Sequence, residues 1–207
     1  MNWLLIIIFI MVYIHIFLHF KVNPLNEMSK LNDVCKEDIT NTIYFKLPFM
    51  FDGSTIIQNV DISDCTKLDD KYMKTYESIP MLEPYVKYFT NNEIYKLKKG
   101  KAIELHRNLE CRNFYIVHSG KAHITCIHPK YKDHFKIITS ETDKFIENNE
   151  NMIHVELTEK QILFVPNYWY VYIKAEDKHT IVEKIQYSTI MNQVNIFWNN
   201  NISNYYE

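Results

Sequence analysis

The chain has 207 residues, enough for one domain of ordinary size with an appendage. Its 23 basic and 25 acidic residues leave a net charge of -2, which excludes the electrostatic footprint of a nucleic-acid binder. Cys35, Cys65, Cys111 and Cys126 form no CxxC pair and no metal-finger spacing, so four reduced, mostly buried thiols are expected rather than a disulfide framework.

In chain order, residues 3–20 (WLLIIIFIMVYIHIFLHF) come first, apolar and without a charged residue. As a helix they would rise roughly 27 Å at ~1.5 Å per residue, close to the hydrocarbon thickness of a bilayer. A signal peptide would need a basic leader, a shorter apolar core and a small-residue cleavage site, and none is present. Residues 1–22 are therefore expected to be a single-pass transmembrane anchor, with the lipid bilayer as partner through residues 3–20. Lys21, Lys30 and Lys36 follow the span and no Lys or Arg precedes it, so the body is expected on the cytosolic side of a host or virion membrane. The sequon at Asn201 would then stay unmodified.

Residues 23–42 read as a polar tether with a short helical stretch near 30–38, and the globular domain is expected over 43–207. Within it, 44–51 reads as a strand ending at the Asp52-Gly53 turn signal, 55–60 as a second strand, and 65–76 as a charged helix or loop. Residues 93–100 alternate apolar and charged side chains, as a half-exposed strand does. Further strands are expected over 102–109, on both sides of Ser119-Gly120, over 155–165 with a turn inside, over 168–174 and over 181–191. A polar excursion occupies 130–151, and 194–206 reads as a short C-terminal helix. Many short strands with turn signals about every ten residues indicate an antiparallel sandwich or barrel. The 15 tyrosines and 12 phenylalanines agree with a mainly β fold. Heavy use of Ile, Asn, Lys and Tyr points to an AT-rich genome, as in many large DNA viruses.

Two segments carry more than a fold class. Residues 113–129 (NFYIVHSGKAHITCIHP) and 155–172 (VELTEKQILFVPNYWYVY) each read as strand, turn, strand. Asn113, Gly120, Pro129, Leu157, Ile162, Leu163, Phe164, Pro166 and Trp169 fall in order and spacing as in the JmjC-type, cupin-like oxygenases, and the chain resembles that family over roughly residues 43–190. The resemblance implies a double-stranded β-helix, or cupin jelly roll, and a site for iron and 2-oxoglutarate.

The family's functional positions carry other residues here. Counting back from Asn113, the H-x-D pair of the metal site falls on Arg107 and Leu109; a one-residue slip offers His106 and Asn108, an imidazole and a neutral amide. The distal His position falls on Val171, and the co-substrate Lys position on Ala122, with Lys121 sent to the opposite face by strand alternation. A facial-triad iron site needs two His and one carboxylate on one face. The expectation is a catalytically inactive, cupin-like binding or structural module without a cofactor, with a protein partner as one prospect. The alternative is a divergent iron- and 2-oxoglutarate-dependent hydroxylase using His106 and Asn108. Asn113, Tyr170 and Tyr172 are candidates for a pocket where the iron would have been. His106, His118, His123, His128, His134 and His154 cluster along the chain but offer no H-x-H or H-x-x-x-H spacing, and scattered structural imidazoles are the simpler reading. Lys96, Lys98, Lys99 and Lys101 read as a solvated strand face.

Overall fold

The computed structural model describes residues 2–32, 35–57, 71–73, 79–134, 149–190, 192–193 and 196. Chain order is α1 (Asn2–Phe20), β1 (Ser29–Lys30), α2 (Lys36–Tyr44), β2 (Phe49–Asp52), β3 (Lys71–Met73), β4 (Phe89–Leu97), β5 (Ala102–Arg107), β6 (Arg112–Ser119), β7 (Ala122–Ile127), β8 (Ile153–Leu157), β9 (Gln161–Val165), β10 (Tyr170–Ala175) and β11 (Thr180–Ser188). A 3₁₀ turn over Pro129–His134 follows β7.

The strands form two sheets, one in the order β1-β2-β9-β6-β11-β4-β3 and one in the order β5-β10-β7-β8. From β4 to β11 successive strands alternate between the sheets, except that β7 and β8 both lie in the small one, and β11 lies between β6 and β4. That is the strand order of an eight-stranded jelly roll, β4 to β11, with β1, β2 and β3 extending one sheet. The expected β jelly roll is therefore present.

The two sheets enclose one apolar layer, in which Tyr115, Val117, Ile124, Leu163, Val165, Trp169, Val171, Ile173 and Val182 are buried. A second layer lies on the outer face of the large sheet. There Phe49, Phe51, Phe114, Phe164, Ile185 and Tyr187 pack beneath Ile39 of α2 and Leu82. Ring centroids of Phe49 and Phe164 stand 4.9 Å apart, and those of Phe114 and Phe164 5.3 Å apart. Burying each such ring is worth roughly 1.5–3 kcal/mol. The strands of the large sheet are thus buried on both faces, which explains why β6 and β9 read as nearly continuous apolar runs.

Three sequence expectations change here. Residues 23–42, expected as a tether, belong to the body: β1 pairs with β2, and α2 contributes fully buried Ile39 to the outer layer. Helix α2 starts later than the helical stretch expected near 30–38 and runs on to Tyr44, its start fixed by Cys35 as the cap. The Cys35 thiol accepts from the Asp38 N–H at 3.4 Å and donates to the Asp38 carboxylate at 2.8 Å. Residues 54–56 form a turn rather than a strand, drawn by Asp52, whose carboxylate accepts from the Ser54 N–H at 2.9 Å. The expected strand at 58–60 and helix at 197–206 lie outside the described residues, as does the 65–76 segment apart from β3.

The membrane expectation is corrected as well. Residues 3–20 are helical, but among the described residues no helix is long and apolar enough to cross a membrane. The single-pass assignment, and the cytosolic placement built on it, are accordingly withdrawn. The chain leaving α1 is fixed to the barrel by His128, whose Nε2–H donates to the Asn23 carbonyl at 2.6 Å while its Nδ1 accepts from the Lys130 N–H at 3.1 Å. Partial burial lowers the His128 pKa, consistent with that neutral ring. Cys35, Cys111 and Cys126 are free thiols, and burial pushes Cys111 up to about 11 and Cys126 up to about 12. Cys65 lies outside the described residues.

Two glycines turn with positive φ, and they differ in surroundings. A Cβ at Gly120 (φ +74°) would stand 2.6 Å from the His179 carbonyl oxygen, whereas one at Gly100 (φ +79°) would meet nothing within 4 Å. Alanine at either is expected to cost about 1 kcal/mol in backbone strain. Urea unfolding should show Gly120→Ala losing clearly more than Gly100→Ala, and equal losses would show that the backbone conformation alone decides.

Candidate functional site

The register between β5 and β10 settles which residues occupy the metal positions of a jelly roll. Val171 lies opposite His106, and the pairing then slips so that Ile173 meets Ile103. The slip turns both Ile103 and His106 toward the barrel interior, and Asn108, not Leu109, follows at the strand end. His106 and Asn108 are brought together through Tyr115, whereas Arg107 is exposed at the rim, its guanidinium 5.1 Å from the Tyr168 ring centre.

Inside the barrel, His106, Tyr115 and Asn108 form one connected group. The Tyr115 hydroxyl donates to Asn108 Oδ1 at 2.8 Å and lies 3.1 Å from His106 Nε2, while His106 Nδ1 lies 3.1 Å from the Glu104 carbonyl. Tyr115 has one hydroxyl proton. Which ring nitrogen carries the proton depends on the tautomer, and each nitrogen lies within hydrogen-bond distance of a protein oxygen. Both imidazole nitrogens are thereby engaged. Asn108 and Asn113 are fully buried, and Asn108 Nδ2 and Asn113 Oδ1 have no hydrogen-bond partner among the described residues. Asn113 Nδ2 donates to the Glu110 carbonyl at 3.0 Å and holds the loop between β5 and β6.

Beside this group the barrel opens into a polar chamber of about 400 Å³. β4 supplies Asn91, Glu93 and Tyr95 to its wall, β11 supplies Lys184 and Gln186, and β5 supplies Glu104 and His106. The β4–β11 register pairs Glu93 with Lys184 and Asn91 with Gln186, so that inward parity brings the four together. Glu93 and Lys184 are only 8% and 5% exposed. The Glu93 carboxylate accepts from Asn91 Nδ2 at 3.3 Å and from the Tyr95 hydroxyl in a short hydrogen bond. Asn91 Nδ2 also donates to Gln186 Oε1 at 3.1 Å. Lys184 Nζ stands 5.8 Å from the centre of the Tyr115 ring, within range of a cation–π contact. Burial, reinforced by the Glu93 bond, pushes the Tyr95 pKa far above its usual range, and burial does the same to Tyr115.

Apart from His106, these chamber residues were absent from the sequence-based candidates. The signal that marks them is charge at inward parity in strands buried on both faces, Glu93 in β4 and Lys184 in β11, but it is readable only once the sheet order is known. Tyr170 and Tyr172, expected to line a pocket, instead face outward: Val171 between them points into the core, and Tyr172 packs with Ile127 and Met152 on the outer face of the small sheet. Ala122 faces inward, and Lys121 outward onto Glu156 at 3.0 Å, as alternation predicts.

The remaining histidines do not converge on the chamber. His118 pairs with Glu183 at 2.6 Å on the outer face of the large sheet, and His123 meets His154 at 3.5 Å on the outer face of the small one. His134 lies at the end of the 3₁₀ turn. Among the described residues, no three His, Cys, Asp or Glu side chains stand together as a metal site. The residues at the family's metal positions do not fit a facial-triad iron: the second imidazole is Val171, the carboxylate is an amide, and His106 spends both nitrogens on protein groups.

No protein-family profile matches the sequence, and no curated protein is recognisably similar to it. Among solved structures the chain is similar to a cupin superfamily protein from Desulfitobacterium hafniense, at 10% identity and TM-score 0.37 over 59% of this chain and 82% of that one. It is similar also to the coconut allergen cocosin (16%, TM-score 0.36) and to a variant of Bacillus subtilis oxalate decarboxylase (14%, TM-score 0.35). Each of these two matches spans 48% of this chain and 22% of the other. The barrel is a jelly roll, and the strand order alone is what establishes it.

The raised tyrosines fix the sign of a pH effect. Above about pH 10 an unfolded tyrosine ionises while the buried ones hold their protons, so the folded state binds more protons and stability falls as pH rises. Chemical denaturation between about pH 9 and pH 11 should show this loss, and Tyr95→Phe should lessen it. An unchanged slope in that variant would show that Tyr95 is not held protonated.

Proposed function

We propose that this chain is a cupin-fold binding module that takes a small polar molecule in its barrel chamber without a metal ion. The observation that carries the reading is the pairing of His106 with Val171, beside a chamber that stays open and polar. A barrel that had merely lost its site would be free to fill the space with apolar side chains, each worth about 1.5–3 kcal/mol when buried. Here the wall holds buried Glu93 and Lys184 instead. The two face each other across the β4–β11 ladder and give the chamber a wall of complementary charge, which suits a polar occupant. The alternative, an iron- and 2-oxoglutarate-dependent hydroxylase, would have to work with His106 as its one imidazole and Asn108 in place of a carboxylate.

Titration calorimetry separates the two readings. Ferrous ion under nitrogen, with or without 2-oxoglutarate, is expected to give no binding heat with the purified chain; micromolar binding of both overturns the proposal. The same geometry predicts a gain. Asn108→Asp combined with Val171→His places a carboxylate and a second imidazole around His106, and this double variant should acquire cobalt(II) with a visible d–d absorption band. Cobalt binding by the unmodified chain equal to that of a folded double variant would show that the present residues already form a metal site.

A further inference from the structure

The wall of the chamber specifies a class of ligand, on the reading that the chamber is a metal-free binding site. We infer that it takes a neutral polyhydroxylated molecule of about monosaccharide size. Three carboxylates line it, Glu93, Glu104 and Glu110, and against them stand two permanent cations, Lys184 and Arg107. An anion would meet the carboxylates, an amine would meet Lys184 and Arg107, and the near balance of charge gives no field that favours either. An apolar ligand would strip water from these groups without replacing its hydrogen bonds. A hydroxyl group avoids all three penalties because it donates and accepts at once.

The arrangement at the inner end suits hydroxyls in series. Glu93 only accepts. Its carboxylate receives bonds from Asn91 and Tyr95. Lys184, directly across the β4–β11 ladder, only donates. Next along the same ladder, Asn91 gives its Nδ2 protons to Glu93 and Gln186, which leaves Asn91 Oδ1 as an acceptor and Gln186 Nε2 as a donor without a partner among the described residues. Acceptor and donor therefore alternate on neighbouring strands spaced ~4.8 Å apart. A ring or chain bearing hydroxyls on successive carbons can bridge such rows by accepting from one group and donating to the next. The chamber volume of about 400 Å³ lies within the range of small-molecule sites and admits one such molecule.

The test uses the full chain and a panel matched in size: D-glucose, myo-inositol and xylitol as neutral polyols, with succinate, putrescine and cyclohexanol as anionic, cationic and apolar counterparts. Calorimetry at ligand concentrations up to about 10 mM is the readout, since sugars at higher concentration stabilise any protein by exclusion from its surface. At least one polyol should bind, and none of the three counterparts. Gln186→Leu should abolish that binding. Asn91→Ala should weaken it about tenfold, the loss of one hydrogen bond to a bound hydroxyl, while its melting temperature without ligand stays near that of the unmodified chain. Preferential binding of succinate, putrescine or cyclohexanol overturns the inference and leaves the metal-free reading standing. Silence across the whole panel also overturns it, as does polyol binding that survives in both variants. Binding of ferrous ion with 2-oxoglutarate removes the underlying reading instead, so the two failures are told apart.

Discussion

Strand β11 is hydrogen-bonded on both edges, to β6 and to β4, and packed on both faces. That double constraint fixes the parity of every residue in the centre of the large sheet. Ile185 and Tyr187 must face the aromatic layer under α2, so Lys184 and Gln186 must face the barrel interior. A one-residue slip would drive the ammonium of Lys184 into a layer of phenylalanines and cannot be accommodated cheaply. The polar chamber is therefore not a local accident of side-chain packing. It follows from the same register that holds the sheet together.

Within the chamber, the balance of charge and hydrogen bonding determines what the site can do. Tyr95 and Tyr115 are neutral donors kept in their protonated form by burial, and Glu93 is held by two of its neighbours. Asn108 takes the Tyr115 proton where a metal-binding relative would present a carboxylate, and His106 becomes part of a protein hydrogen-bond chain rather than a free ligand. The apolar Val171 closes the position from which a second imidazole would have reached.

Much of the barrel could be read from the amino-acid order, for reasons that are local. The Ser119-Gly120 hairpin, the turn between residues 157 and 161, and the alternation in 93–100 are each set by a few neighbouring residues. The misread parts depend on contacts that local patterns do not encode. A cysteine is a rare helix cap, so the helix expected near 30–38 was placed several residues too early. The connection between β5 and β6, residues 108–111, intervenes between Asn113 and the end of β5, so counting along the chain left Arg107 and His106 one residue apart as alternatives. Glu93 and Lys184 meet across about ninety residues of chain, and nothing in either strand alone announces the other. Tyr170 and Tyr172 misled for the same reason in reverse: their aromatic character resembles a pocket lining, but parity sends them to the outer face.

The central place of β11 also bears on how the molecule comes into being. A chain grows from its N-terminus, and domains begin to fold as they emerge. Here β6 and β4 are both complete before the strand that separates them exists. Until residue 188 is available, two strands that are buried on both faces in the finished barrel each present an unpaired edge and an uncovered apolar surface, the conditions that favour association with the wrong partner. The large sheet is thus a structure that only its last strand can close. A nascent chain held before that point would carry both halves of the chamber wall but no chamber.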